Sequence, residues 1–139
     1  MGEKASGMAS PIERQQVMFQ IKINVSKNAI LCILKGRFES EGAREYIEKF
    51  KEGVDKLKPG FVVITDISTF MPTSDEVRLI FRQGTEYAVG RGMSRAIRIV
   101  SEIVASKIGN IQFNRAAKEL GYEAEEVTSL EEAKKLLNW

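Results

Sequence analysis

Histidine is absent from this sequence, and cysteine occurs once, at Cys32. The first absence removes the commonest general base and the commonest metal ligand. A Ser-His-Asp triad, a Cys-His pair and a zinc site with imidazole ligands are therefore excluded within the chain. The second excludes an internal disulfide and makes a reducing cytosol the simplest compartment. No apolar run approaches the roughly 20 residues that a bilayer-spanning helix needs. No positively charged start followed by an apolar stretch marks a secretory signal. A net charge of +2, with no arginine- or lysine-rich block, is too small to imply a nucleic-acid surface. The G-x-x-x-x-G-K-[ST] phosphate loop is missing, and Gly90-Arg91-Gly92 is too short to replace it. With no fingerprint for a metal or a cofactor, the sequence is expected to belong to a binding protein and not to an enzyme.

What is present is ordinary for one globular domain: 139 residues, 43% hydrophobic and 29% charged. Residues 1–16 are small and polar without a sustained period, which predicts a flexible leader ahead of a single domain over 17–139. Val17, Phe19, Ile21, Ile23 and Val25 alternate with polar residues, a period of two that predicts a strand. Ser26-Lys27-Asn28 suits a hairpin turn, and Ala29 to Leu34 is apolar on both faces, as in a central strand. Cys32 lies inside that run, where a cysteine is ordinarily a small buried hydrophobe.

Ser40 is placed to cap a helix in which Ala43, Tyr46, Ile47, Phe50, Val54 and Leu57 follow helical spacing, and Pro59-Gly60 stops it. Phe61 to Ile67 is a compact β-branched strand. Thr73 followed by Glu76 has the form of a capping box, opening a helix whose buried stripe is Val77, Ile80, Phe81, Gly84 and Ala88. Ala96 to Val100 predicts a fourth strand, about Ala105 to Leu120 a third helix, and Tyr122 to Val127 a short edge strand. Ser129 and Glu132 form a second capping box, opening a last helix that ends at Leu137. A hairpin followed by alternating strands and helices implies a mixed sheet of four to five strands with about four helices packed on it.

Three segments carry a resemblance. Ile33-Leu34-Lys35-Gly36-Arg37-Phe38 resembles the apolar-x-Gly-x-apolar strand end of the STAS domain, which sulphate transporters share with bacterial anti-sigma-factor antagonists. Val62-Val63-Ile64-Thr65-Asp66-Ile67-Ser68 is similar to that domain's central strand, which typically ends Asp-Leu-Ser. Asn114 to Leu137 resembles its closing helix-turn-strand-helix. The likeness runs from about Phe19 to Leu137, and the divergent SpoIIAA-like branch is the nearest in character. It implies a bacterial, cytoplasmic signalling module whose partner is another protein, such as an anti-sigma-like kinase, with no nucleic acid and no membrane span. That branch also implies a second class of function, a carrier or sensor of a small apolar ligand or lipid held between sheet and helices. Monomer and homodimer both remain open.

In antagonists the loop after the central strand carries Asp-Ser-Ser-Gly, whose serine is phosphorylated. Here the loop reads Pro72-Thr73-Ser74-Asp75-Glu76, so Thr73 and Ser74 are phosphoacceptor-like but the flanking Asp and Gly are missing. Thr73 as a plain helix cap, with Ser74 as the first helical residue, is the structural alternative. By the same likeness Asp66, Ser68, Phe70, Met71, Arg78 and Arg82 would form the partner surface. From the residues alone, Asp66 is expected to accept loop amides. Arg78 and Arg82 are expected on a solvated face paired with Asp75 and Glu86. Phe70 and Met71 read as a binding lip or as core, and Trp139 as a core cap or an interface anchor.

Overall fold

The apolar alternation and the β-branched runs become strands in the computed structural model, which describes residues 18–71, 74–101 and 117–139. The expected leader over 1–16, Thr73 and most of the helix expected from 105 to 120 lie outside the described residues; residues 117–120 are helical. Strand β1 (Phe19–Asn24) pairs antiparallel with β2 (Ala29–Gly36). Helix α1 (Ser40–Val54) leads to β3 (Val62–Phe70), and α2 (Asp75–Gly90) leads to β4 (Arg95–Ile99). Strand β5 (Glu123–Val127) and helix α3 (Leu130–Leu137) close the chain. The five strands lie in the order β1-β2-β3-β4-β5, parallel from β2 onward.

Each face of the sheet has its own core. Cys32, Leu34 and Val63 point to α1 and α2, meeting Ala43, Tyr46, Ile47, Phe50, Val77 and Ile80. Ile64, Ile97 and Ile99 point the other way and pack against Ala133 of α3. Ala29, Ile30, Cys32 and Leu34 are buried and Leu31 and Ile33 partly so, which is why β2 carries no polar alternation. The two long helices approach closely at Gly84, where an added Cβ would stand 2.6 Å from Ile47 Cδ1. The Gly90-Arg91-Gly92 segment is the exit from α2: Gly92 (φ 101°) accepts the Gly60 amide at 2.7 Å.

Strand β3 runs three residues past the Ile67 that its sequence suggests, because it contains a bulge. Ile33 pairs with Asp66, but Lys35 pairs with Thr69, so two residues of β3 oppose one of β2. The Asp66 carboxylate holds the bulge, accepting the Ser68 amide at 3.0 Å and the Ser68 hydroxyl at 2.7 Å. The extra residue inverts the alternation beyond it. Phe70 is thereby turned to the helix face, with ring centroids 5.9 Å from Phe38 and 5.6 Å from Phe81.

The first two helices start one residue away from the expected caps, while the last is capped by Ser129 as expected. Ser40 is the first residue of α1; the cap position is Glu39, whose side chain makes no cap bond. At α2 the cap is Ser74, which accepts the Val77 amide at 3.2 Å. Glu76 thus sits outside any capping box and pairs instead with Arg44 of α1 at 2.9 Å. At α3 the expected box is half realised. Ser129 accepts the Glu132 amide, while Glu132 reaches past the cap to the Thr128 amide and hydroxyl at 2.7 and 2.8 Å. Those bonds, the amide first, hold the Glu132 carboxyl below the usual range.

Asp66→Ala should therefore lower stability by about 1.5–3 kcal/mol, the usual worth of hydrogen bonds to a charged group, and Asp66→Asn by less. Urea unfolding of the two variants beside the wild type measures the difference.

Candidate functional site

The loop after β3 and the start of α2 bring some of the sequence-predicted residues together and separate others. Asp66 and Ser68 are half-buried and engaged with each other in the bulge. Phe70 belongs to the aromatic cluster with Phe38 and Phe81 and fills core. Met71 is the first residue to leave the sheet. Its amide is still tied to the Gly36 carbonyl at 2.9 Å, but its side chain is 54% exposed.

Beyond it, Ser74 is exposed at the cap of α2. Asp75, Arg78, Arg82 and Glu86 follow at helical spacing along the outward face. Arg78 pairs with Asp75, and Arg82 with Glu86 at 3.3 Å, the expected solvated pairs. Such exposed pairs contribute at most about 1 kcal/mol each and leave the guanidinium groups available. Leu79 lies in the middle of this face at 60% exposure. Sequence reasoning missed it, although its place off the Val77-Ile80-Phe81-Gly84 stripe was a usable signal. The surface is thus Met71, Ser74, Arg78, Leu79 and Arg82, with Phe70 beneath it.

The remaining arginines serve the fold. Arg91 holds Asp55 at 2.9 Å beside Tyr87. Arg95 and Arg98 cross from β4 to Glu125 and Glu126 of β5, one pair on each face of the sheet. Among the described residues, no three His, Cys, Asp or Glu side chains converge as a metal site, and no helix is long and apolar enough to cross a membrane.

Cys32 is fully buried and sits against the Tyr46 hydroxyl; burial pushes its thiol up from 9.0 to about 12. The same burial, with Cys32 second, raises Tyr46. The folded state therefore holds the neutral thiol. The stabilisation that this gives is complete below pH 9 and is lost as pH rises towards 12. Native protein at pH 8 should leave Cys32 unlabelled by a thiol reagent, and denaturant should release one equivalent; mass spectrometry of the two samples reads the outcome.

Between α1, α2 and the sheet, a cavity of about 130 Å³ is lined by Tyr46, Phe50, Thr65, Phe81, Arg98 and Tyr122 among others. Small-molecule sites usually offer about 300–1,000 Å³. A larger groove, about 460 Å³, lies on the opposite face beside α3.

A mixed sheet with this strand order, a leading hairpin and helices on both faces defines a SpoIIAA-like α/β fold, the architecture that the sequence resemblance implied. A solved structure shares it: an uncharacterized protein of the DUF3478 family with a SpoIIAA-like fold, from Shewanella loihica PV-4. The two chains are 15% identical with a TM-score of 0.66, over 86% of this chain and 93% of that one. No protein-family model and no curated protein matches the sequence.

Ser74→Ala should cost about 1 kcal/mol by removing the cap, whereas Ser74→Asp, which replaces one good cap by another, should be close to neutral. Thermal unfolding followed by circular dichroism separates the two.

Proposed function

We propose that this chain is a non-catalytic protein-binding module that docks a partner on the surface formed by Met71, Ser74, Arg78, Leu79 and Arg82. The observation that carries the proposal is Leu79. It is a large apolar side chain held 60% exposed at the centre of a rigid helix face, between two arginines and beyond an exposed Met71. Apolar centres with arginines around them are the usual anatomy of a protein contact. The arginines favour an acidic partner surface, and their effect there is on association rate and orientation.

The SpoIIAA-like fold supports a module of this class. A phosphoryl group on Ser74 would add about −1.5 to −2 charge within the docking surface, so the same hydroxyl that caps the helix would switch it. Thr73, the other phosphoacceptor-like hydroxyl, lies outside the described residues. A carrier of an apolar ligand between sheet and helices has less support, since the space there is about 130 Å³.

Affinity capture from the cells that make the protein tests the module, with wild type, Leu79→Glu and Ser74→Asp as baits of equal thermal stability. A polypeptide held by wild type and reduced at least tenfold by both variants is the expected result. Capture indifferent to Leu79→Glu would overturn the docking surface, and capture indifferent to Ser74→Asp alone would overturn the switch.

A further inference from the structure

Helix α3 spans only eight residues, and its core contacts are Ile64, Ile97 and Ile99. Sheets with parallel strands ordinarily have both faces covered. Here the same face continues past α3 as a groove of about 460 Å³ over β1, β2 and the start of β3. Its apolar lining is the half-buried Leu31 with Leu130 and Trp139, above the buried Ile64. Leu130 and Trp139 remain 37% and 38% exposed there. Its rim is cationic, with Lys22 from β1, Lys27 from the hairpin turn and Lys134 from α3.

None of the three lysines has a carboxylate within ion-pair distance among the described residues. Lys27 Nζ lies over the Trp139 ring, 5.2 Å from its centroid. Among the described residues this is an open trough of small-molecule size, apolar within and with three lysines at its rim, complementary to a molecule with an apolar tail and an anionic head.

We propose that this groove binds a single-chain anionic amphiphile, the tail lying over Leu31 and Ile64 beside Trp139 and the head held by Lys22, Lys27 and Lys134. The head is a carboxylate or a phosphate; lysine suits either as a point charge. The groove is on the face opposite α1 and α2, so this site is separate from the α2 docking surface and from the small cavity beneath it. Burial of each methylene should raise affinity about fourfold until the trough is filled.

Trp139 is the only tryptophan, so its emission reports the groove directly. The full chain would be titrated with decanoate, dodecanoate and dodecyl phosphate below their micelle concentrations. Dodecanol and dodecyltrimethylammonium serve as uncharged and cationic controls. The expected result is a saturable change in Trp139 emission with the anions, tightening from ten to twelve carbons, and at least tenfold weaker binding of both controls. A preference between dodecanoate and dodecyl phosphate assigns the head group. Lys22→Glu, Lys27→Glu and Lys134→Glu together should abolish the anion preference without unfolding the domain, because all three side chains are exposed. Equal response to anion, alcohol and cation, or anion binding unchanged in the triple variant, would overturn the proposal. So would the absence of any saturable response, confirmed by calorimetry. Partner capture through Leu79 should be unaffected by the lysine changes, so the two sites stand or fall separately.

Discussion

One extra residue in the central strand determines how this domain presents itself. Side chains alternate along a strand, so an insertion of one reverses every assignment beyond it. Without the bulge at Ile67-Ser68, Phe70 would face α3 and leave a hole between Phe38 and Phe81 that nothing else nearby could fill. With it, Phe70 locks the upper end of the helix-side core and fixes where the chain leaves the sheet. Met71, Ser74 and the first turn of α2 inherit their position from that anchor. The Asp66 carboxylate, expected from the sequence to accept loop amides, is engaged in holding the bulge.

The sequence was most legible where periodicity is long. The hairpin, the apolar central strands and the three amphipathic helices follow from spacings of two and three to four residues, and the Asp-Ile-Ser signature placed the bulge region without revealing its geometry. It was least legible where one residue decides the outcome. Thr73, Ser74 and Asp75 are all acceptable caps, and composition alone does not choose among them. Ser40 failed as a cap for the same reason, since Glu39 already has the extended backbone that a cap position needs. Strand β5, Glu-Ala-Glu-Glu-Val, has little intrinsic claim to be a strand; Arg95 and Arg98 on β4 supply the partners that pin it at the sheet edge. Only the register shows that these arginines are spent within the sheet.

The two proposed surfaces differ in the same respect. The α2 face is nearly contiguous in sequence: Met71, Ser74, Arg78, Leu79 and Arg82 fall within twelve residues, and Leu79 was in principle readable. The α3 groove draws on Lys22, Lys27, Leu31, Ile64, Leu130, Lys134 and Trp139, which no local pattern connects. Among the described residues the short α3 lies over one part of this face, and the strand order brings the walls of the groove together beside it.

The cap assignment also alters the electrostatics of the loop. In the sequence, Asp75 and Glu76 stand beside the phosphoacceptor-like hydroxyls as two unopposed negative charges that would repel a phosphate. In the fold each is turned sideways, Asp75 to Arg78 and Glu76 to Arg44. That leaves the free amides and partial positive charge of the α2 N-terminus facing Ser74, an arrangement suited to an anion. A phosphoryl oxygen would accept the Val77 amide as the hydroxyl oxygen does now, so modification would preserve the helix start while reversing the local charge. Arg78 would then be drawn between Asp75 and the new group, away from the face that it shares with Leu79. Because the cap and the proposed contact residues lie on one helix, a change of charge at Ser74 would reach the proposed docking surface without any movement of the sheet beneath.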